Sequence, residues 1–150
     1  HYPLRRQRQM CIRDRKRVTQ WLSMRINPEE PAIILKVEIF GEKESRTIDM
    51  ALDTGSTYSI IPWHVAEGLG YDPAVSRKRA TLITASSVEA VPLITVRAIK
   101  ALGMGARSTD VACHDLPPGS RVEGLLGLSF LKHFNINIHF KQRELELKDP

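Results

Sequence analysis

Ala51-Leu52-Asp53-Thr54-Gly55-Ser56-Thr57-Tyr58-Ser59-Ile60-Ile61-Pro62 sets one carboxylate where an apolar run breaks into small polar residues and then resumes. Ahead of it Ile48, Met50 and Leu52 recur at every second position, the spacing of a half-buried strand. Further upstream, Ile33, Leu35, Val37 and Ile39 share one face of Ala32–Phe40, with Ile34, Lys36, Glu38 and Phe40 on the other. Gly41-Glu42-Lys43-Glu44-Ser45 is the turn between these strands, so a hairpin delivers the chain to Asp53. Gly55 lets the backbone turn sharply and brings its N–H close to whatever lies over Asp53, while Thr54 and Ser56 supply hydroxyls. The tetrapeptide by itself is equally compatible with an ordinary β-turn, because all four residue types favour turns.

Downstream, Pro62 stands at the start of a short helix over Trp63–Gly70, which Gly68 and Gly70 end. A polar connection runs through Arg79. Ala80–Ala85 and Val88–Val91 read as a second hairpin about Ser86-Ser87, and Leu93–Leu102 as a long apolar strand. Gly103-Met104-Gly105 turns the chain, Thr109–His114 is another strand, and Leu116-Pro117-Pro118-Gly119 stops it. Leu125–Phe134 is helix-compatible, and Asn135–Phe140 with Glu144–Leu147 forms a last hairpin. Seven or eight short strands and one or two short helices make an all-β domain, a small closed or folded-over sheet.

About 70 residues after the first motif comes a second, Val122-Glu123-Gly124-Leu125-Leu126-Gly127-Leu128-Ser129-Phe130-Leu131. An apolar-Asp-Thr-Gly-Ser turn, an intervening hairpin and an apolar-apolar-Gly step, in that order, resemble the retropepsin-like aspartic proteases of the single-domain bacterial and retroelement type. The resemblance covers residues 32 to about 148. It implies a closed β-barrel with a flap hairpin, and a homodimeric endopeptidase in which Asp53 of each copy supplies half of a catalytic dyad. It implies further that Thr54 makes cross-subunit bonds, that Gly55 meets the substrate backbone, and that Ser56 donates to the outer oxygen of Asp53 and so favours an acidic optimum. Leu125, Leu126 and Gly127 would pack beneath the turn, with Leu126 also lining a substrate pocket. Thr84, Ala85, Ser86 and Ser87 would form the flap tip. Peptide or protein substrate is implied; cofactor and metal are not. Two departures stand out: the tip is not glycine-rich, and Ser129 stands where bacterial relatives often carry an acid.

The 150 residues suit one domain, 42% hydrophobic and 26% charged, as in ordinary globular proteins. Of 22 basic and 17 acidic residues, eight basic and one acidic fall within residues 1–26, leaving 14 and 16 for the body. The net charge of +5 is therefore a property of the tail, and the body, at −2, asks for no nucleic-acid partner. Residues 1–26 read as a basic N-terminal tail, disordered or a non-native sequence artefact, and 27–150 as the protease domain. Cys11 and Cys113 have no CxxC partner and read as free thiols. The histidines at 1, 64, 114, 133 and 139 have no ligand spacing, and Cys113 and His114 would point to opposite faces of a strand. No stretch reaches the roughly 18 apolar residues of a membrane helix, so a cytoplasmic location is expected. A dimerisation or peptide-binding module with little turnover is the rival from another class. A protease that cuts only its own precursor is the rival within the enzyme class.

Overall fold

The structure, a computed structural model, describes residues 21–149. Strand β1 (Trp21–Arg25) is followed by the expected first hairpin, β2 (Ile34–Phe40) and β3 (Ser45–Leu52). Alternation does what it predicts here: Leu35, Val37 and Ile39 of β2 and Ile48 and Met50 of β3 turn into the core. Next come β4 (Ser59–Ile61) and helix α1 (Trp63–Gly68), then a short 3-10 turn (Pro73–Val75). Pro62 does precede the helix, but the side chain that satisfies its first N–H is distant, Asp115 Oδ1 accepting from Trp63 N at 3.0 Å. The remaining strands are β5 (Arg79–Ile83), β6 (Val88–Ala101), β7 (Met104–Cys113), β8 (Gly124–Leu126), β9 (Asn135–His139) and β10 (Glu144–Lys148), with α2 (Leu128–Leu131) between β8 and β9.

Six strands, in the order β2-β3-β8-β4-β7-β6, close on themselves through β2–β6 pairing. This is the closed barrel that the resemblance implied, and the domain is all-β as expected. Closure removes the free edges that an open sheet of this size would carry. β8 is inserted between β3, to which it runs parallel, and β4, to which it runs antiparallel. The barrel encloses the main core, which includes Val37, Met50, Ile99, Leu126 and Phe130. A separate sheet, β1-β10-β9, covers one side and sends Leu145 into that core.

Several elements differ from the sequence reading. Gly124-Leu125-Leu126 is a strand, and the helix begins only after Gly127. Val88–Val91 and Leu93–Leu102, separated in the reading at Pro92, form one strand of 14 residues, β6. It pairs with β5 up to Pro92 and with β7 from Leu93, so the proline that donates no hydrogen bond sits where one partner gives way to the other. The turn before β7 is Leu102-Gly103, both at positive φ (50° and 75°), the conformation of a tight two-residue hairpin. β1, which falls within the stretch read as a tail, pairs with β10; residues 1–20 lie outside the described residues.

Candidate active site

Three strands, β3, β8 and β4, converge on Asp53. β3 ends beside β8, and β4 leaves the other side of β8, so the turn between β3 and β4 must cross the end of β8. Asp53 N donates to Leu126 O at 3.0 Å, which pins the entry to the turn. Gly55 N donates to Asp53 Oδ1 at 2.9 Å, which orients the carboxylate. Ser56 N donates to Asp53 O at 3.3 Å, and Leu128 N donates to Ser56 O at 2.8 Å. The carboxylate thus sits half-buried on a turn whose own backbone holds it. One of its oxygens is engaged by an amide of the turn, and no described side chain bonds to the other.

Each residue singled out from the sequence has a definite place. Thr54 is exposed, and its hydroxyl meets no hydrogen-bonding partner among the described residues. Ser56 does not donate to Asp53: its hydroxyl donates to Tyr58 O at 2.7 Å, two residues along, and a hydroxyl has only one proton to give. Of the two leucines expected beneath the turn, the one also expected to line a pocket is the more deeply buried. Leu126 is fully buried in the main core and cannot line a pocket. Leu125 is half-buried and packs with a second, smaller cluster formed by Ile60, Ala80, Val91, Leu93 and Ala112. The physical reason is the strand: neighbours on β8 point to opposite faces. Gly127 lies directly under the turn, where a Cβ would come within 2.7 Å of Ser56 O and 2.6 Å of Tyr58 O.

The β5–β6 hairpin projects from the barrel over this region. Between it and the turn is an open cavity of about 200 Å³, lined by Gly55, Ser56, Thr57 and Tyr58 below and Thr81, Leu82 and Ile83 above. The hairpin tip has no glycine, yet it closes tightly. Thr84 N donates to Ser87 O at 2.8 Å, and Ser87 N donates to Thr84 Oγ1 at 3.0 Å. Threonine and serine hydroxyls here take the place of a glycine turn. Ala85 and Ser86 are exposed at the apex, and Ile83 and Val88 beside it are large apolar side chains left in solvent, 80% and 69% exposed.

Sequence reasoning missed Ser59, a fully buried polar residue that bonds to Ser129 and to Gly127. Its signal was a serine opening an apolar run, at the start of a three-residue strand too short to show a period. Among the described residues no group of three His, Cys, Asp or Glu side chains could hold a metal ion, and no helix is long and apolar enough to cross a membrane.

The family model described as "gag-polyprotein putative aspartyl protease" matches residues 39–133, a span that contains both sequence motifs and the hairpin between them. The fold is similar to that in the crystal structure of a retropepsin-like aspartic protease from Rickettsia conorii. The TM-score is 0.64 at 19% identity, over 87% of this chain and 92% of that one. No curated protein matches the chain.

Proposed function

The chain belongs to the gag-polyprotein aspartyl protease family, and on that premise we propose that it is an aspartic endopeptidase whose active form is a two-fold homodimer with one Asp53 from each copy. The observation that carries this reading is the placement of Asp53, with one carboxylate oxygen engaged by its own backbone, at the head of a turn whose next residues, Gly55 and Ser56, line a cleft under a hairpin. Asp-Thr-Gly occurs once in the sequence, so a carboxylate pair requires a second copy.

Aspartic proteases are the general example of two carboxylates too close for both to ionise, which therefore share one proton. One Asp53 takes a proton from a water held between the pair, and the other, protonated, donates to the scissile carbonyl oxygen. The water oxygen attacks the carbonyl carbon, and the proton is returned to the leaving amine as the C–N bond breaks. The two copies exchange roles freely, since they titrate as a unit. Thr54, with no hydrogen-bonding partner among the described residues, is suited to bond across the two-fold axis. Leu125, Tyr58 and Leu82 offer apolar surface to substrate side chains, and an extended peptide lies beneath the β5–β6 flap as an added strand. Closure of that flap excludes water from the dyad.

The test is cleavage of a peptide library between about pH 3 and 7 by the wild type, by Asp53→Asn, and in the presence of a pepstatin-type inhibitor. Wild-type cleavage that both treatments abolish is expected, with a bell-shaped pH profile from the shared proton. Equal cleavage by Asp53→Asn would refute the mechanism, and no cleavage by the wild type would leave a peptide-binding module.

A further inference from the structure

Two buried hydroxyls lie beyond the Asp-Thr-Gly turn and take no part in the chemistry above. Ser59, at the start of β4, is fully buried, and Ser129, in α2, is 8% exposed. Ser59 N donates to Ser129 Oγ at 2.9 Å. Ser129 Oγ donates to Ser59 Oγ at 3.2 Å, and Ser59 Oγ accepts from Gly127 N at 3.0 Å. The three bonds form one compact circuit between segments some 70 positions apart in the chain.

Burying hydroxyls is unfavourable unless they are bonded, and an apolar pair would fill the same space without that requirement. What the hydroxyls add is position. The entry to the turn is referenced to Leu126 O and its middle to Leu128 N, and the circuit references its exit to Gly127 N and Ser129 Oγ. Entry, middle and exit are therefore all fixed against one four-residue segment, Leu126–Ser129. Gly127 allows no slack, since the Ser56 and Tyr58 carbonyls already lie against it.

We propose that Ser129, acting through Ser59 and Gly127, is a positioning residue that sets where the Asp53 carboxylate stands and so the spacing of the dyad. The proposal rests on the aspartic-protease reading. In a two-fold dimer any shift of the turn occurs in both copies, so an error in one turn is doubled in the carboxylate separation. Proton sharing depends on that separation, and so do the two limbs of the pH profile. Without the Ser129 hydroxyl, Ser59 N has no acceptor, and the nearest relief is movement of the turn exit.

The test compares Ser129→Ala, Ser129→Thr and a core control, Val96→Ala, with wild type. Val96 is fully buried and outside the site. The measurements are kcat, KM and the pH–rate profile on a cleavable peptide, with Tm alongside. Ser129→Ala is expected to lower kcat by about tenfold to a hundredfold, the effect of a reacting group displaced by a fraction of an ångström to 1 Å. KM should stay within about twofold, and the two limbs of the profile should move closer together. Ser129→Thr, which keeps the hydroxyl, should restore most of kcat. Val96→Ala should lose Tm and keep both kcat and profile shape. If Ser129→Ala does not fold, Ser129→Cys, which keeps a side chain of the same shape and weakens the bonds, is read instead. An active Ser129 variant with unchanged kcat and profile, or a control that loses kcat equally, overturns the positioning role and leaves the protease reading intact. Absence of wild-type cleavage overturns both.

Discussion

Gly127 is a residue whose side chain is excluded by the backbone of the site itself. A Cβ there would stand 2.6 Å from Tyr58 O, so Gly127→Ala must push the Asp53 turn aside. A loss of about 1–3 kcal/mol is expected from such overpacking, measured by urea unfolding, with kcat/KM falling further than Tm would suggest. Ser56→Ala is expected to leave the pH–rate profile where it is, since the hydroxyl bonds to Tyr58 O and not to the carboxylate. A clear upward shift of the acidic limb would show that the hydroxyl turns toward Asp53 in the working enzyme. Cys113 shows its effect in alkali. Burial pushes its thiol up from 9.0 to about 12, so the unfolded chain releases that proton first and stability falls as pH rises through this interval. Cys113→Ala should remove that fall, up to about 1.4 kcal/mol per pH unit, as read from unfolding of both proteins near pH 8 and above pH 9. At this scale the sequence was legible where a residue has one role. Gly127 lies beneath the turn as expected, whereas both leucines were expected there and only Leu126 is fully buried, because the run was taken for a helix and a helix does not alternate.

At the tip of the β5–β6 hairpin, Thr84 Oγ1 donates to Ser87 O and accepts from Ser87 N, beside the backbone bond from Thr84 N to Ser87 O. Thr84→Val should loosen the apex, speed amide exchange at Ser87, and raise KM several-fold with little change in kcat. Tm should move by no more than about 2 °C, since the bonds are solvent-exposed. Unchanged KM beside faster exchange would mean that tip order does not govern substrate capture. Long alternating strands such as β2 and β3 could be read directly, and so could the terminal hairpin. β4 and β8 are three residues long, too short to carry a period, and β1 falls in the stretch read as a basic tail; the identity of all three comes from pairing with strands remote in sequence. Pro92 misled for a different reason. A proline normally interrupts a strand, and here it is accommodated because the strand exchanges partners at that point.

Assembly is the property of the whole molecule on which the proposed activity turns. If the dyad is built from two chains, specific activity must fall on dilution below the dimer dissociation constant. Asp53→Asn added in excess should suppress wild-type activity by forming mixed dimers. Activity proportional to concentration throughout, and indifferent to the added variant, would require both carboxylates in one chain. The sequence made this consequence visible by containing a single Asp-Thr-Gly, whereas barrel closure depends on the distant β2–β6 pairing and could not be read locally. The described residues also form two apolar clusters. The large one fills the barrel, and the small one, with Ala80 and Val91 of the hairpin, lies between hairpin and site. Because the hairpin is rooted in the small cluster and joined to the barrel at Pro92, it has the construction of an exchangeable cartridge. Replacing residues 79–91 with a foreign hairpin of equal length should retune which peptides are cut while the barrel melts as before, so new specificities could be acquired without renegotiating the fold.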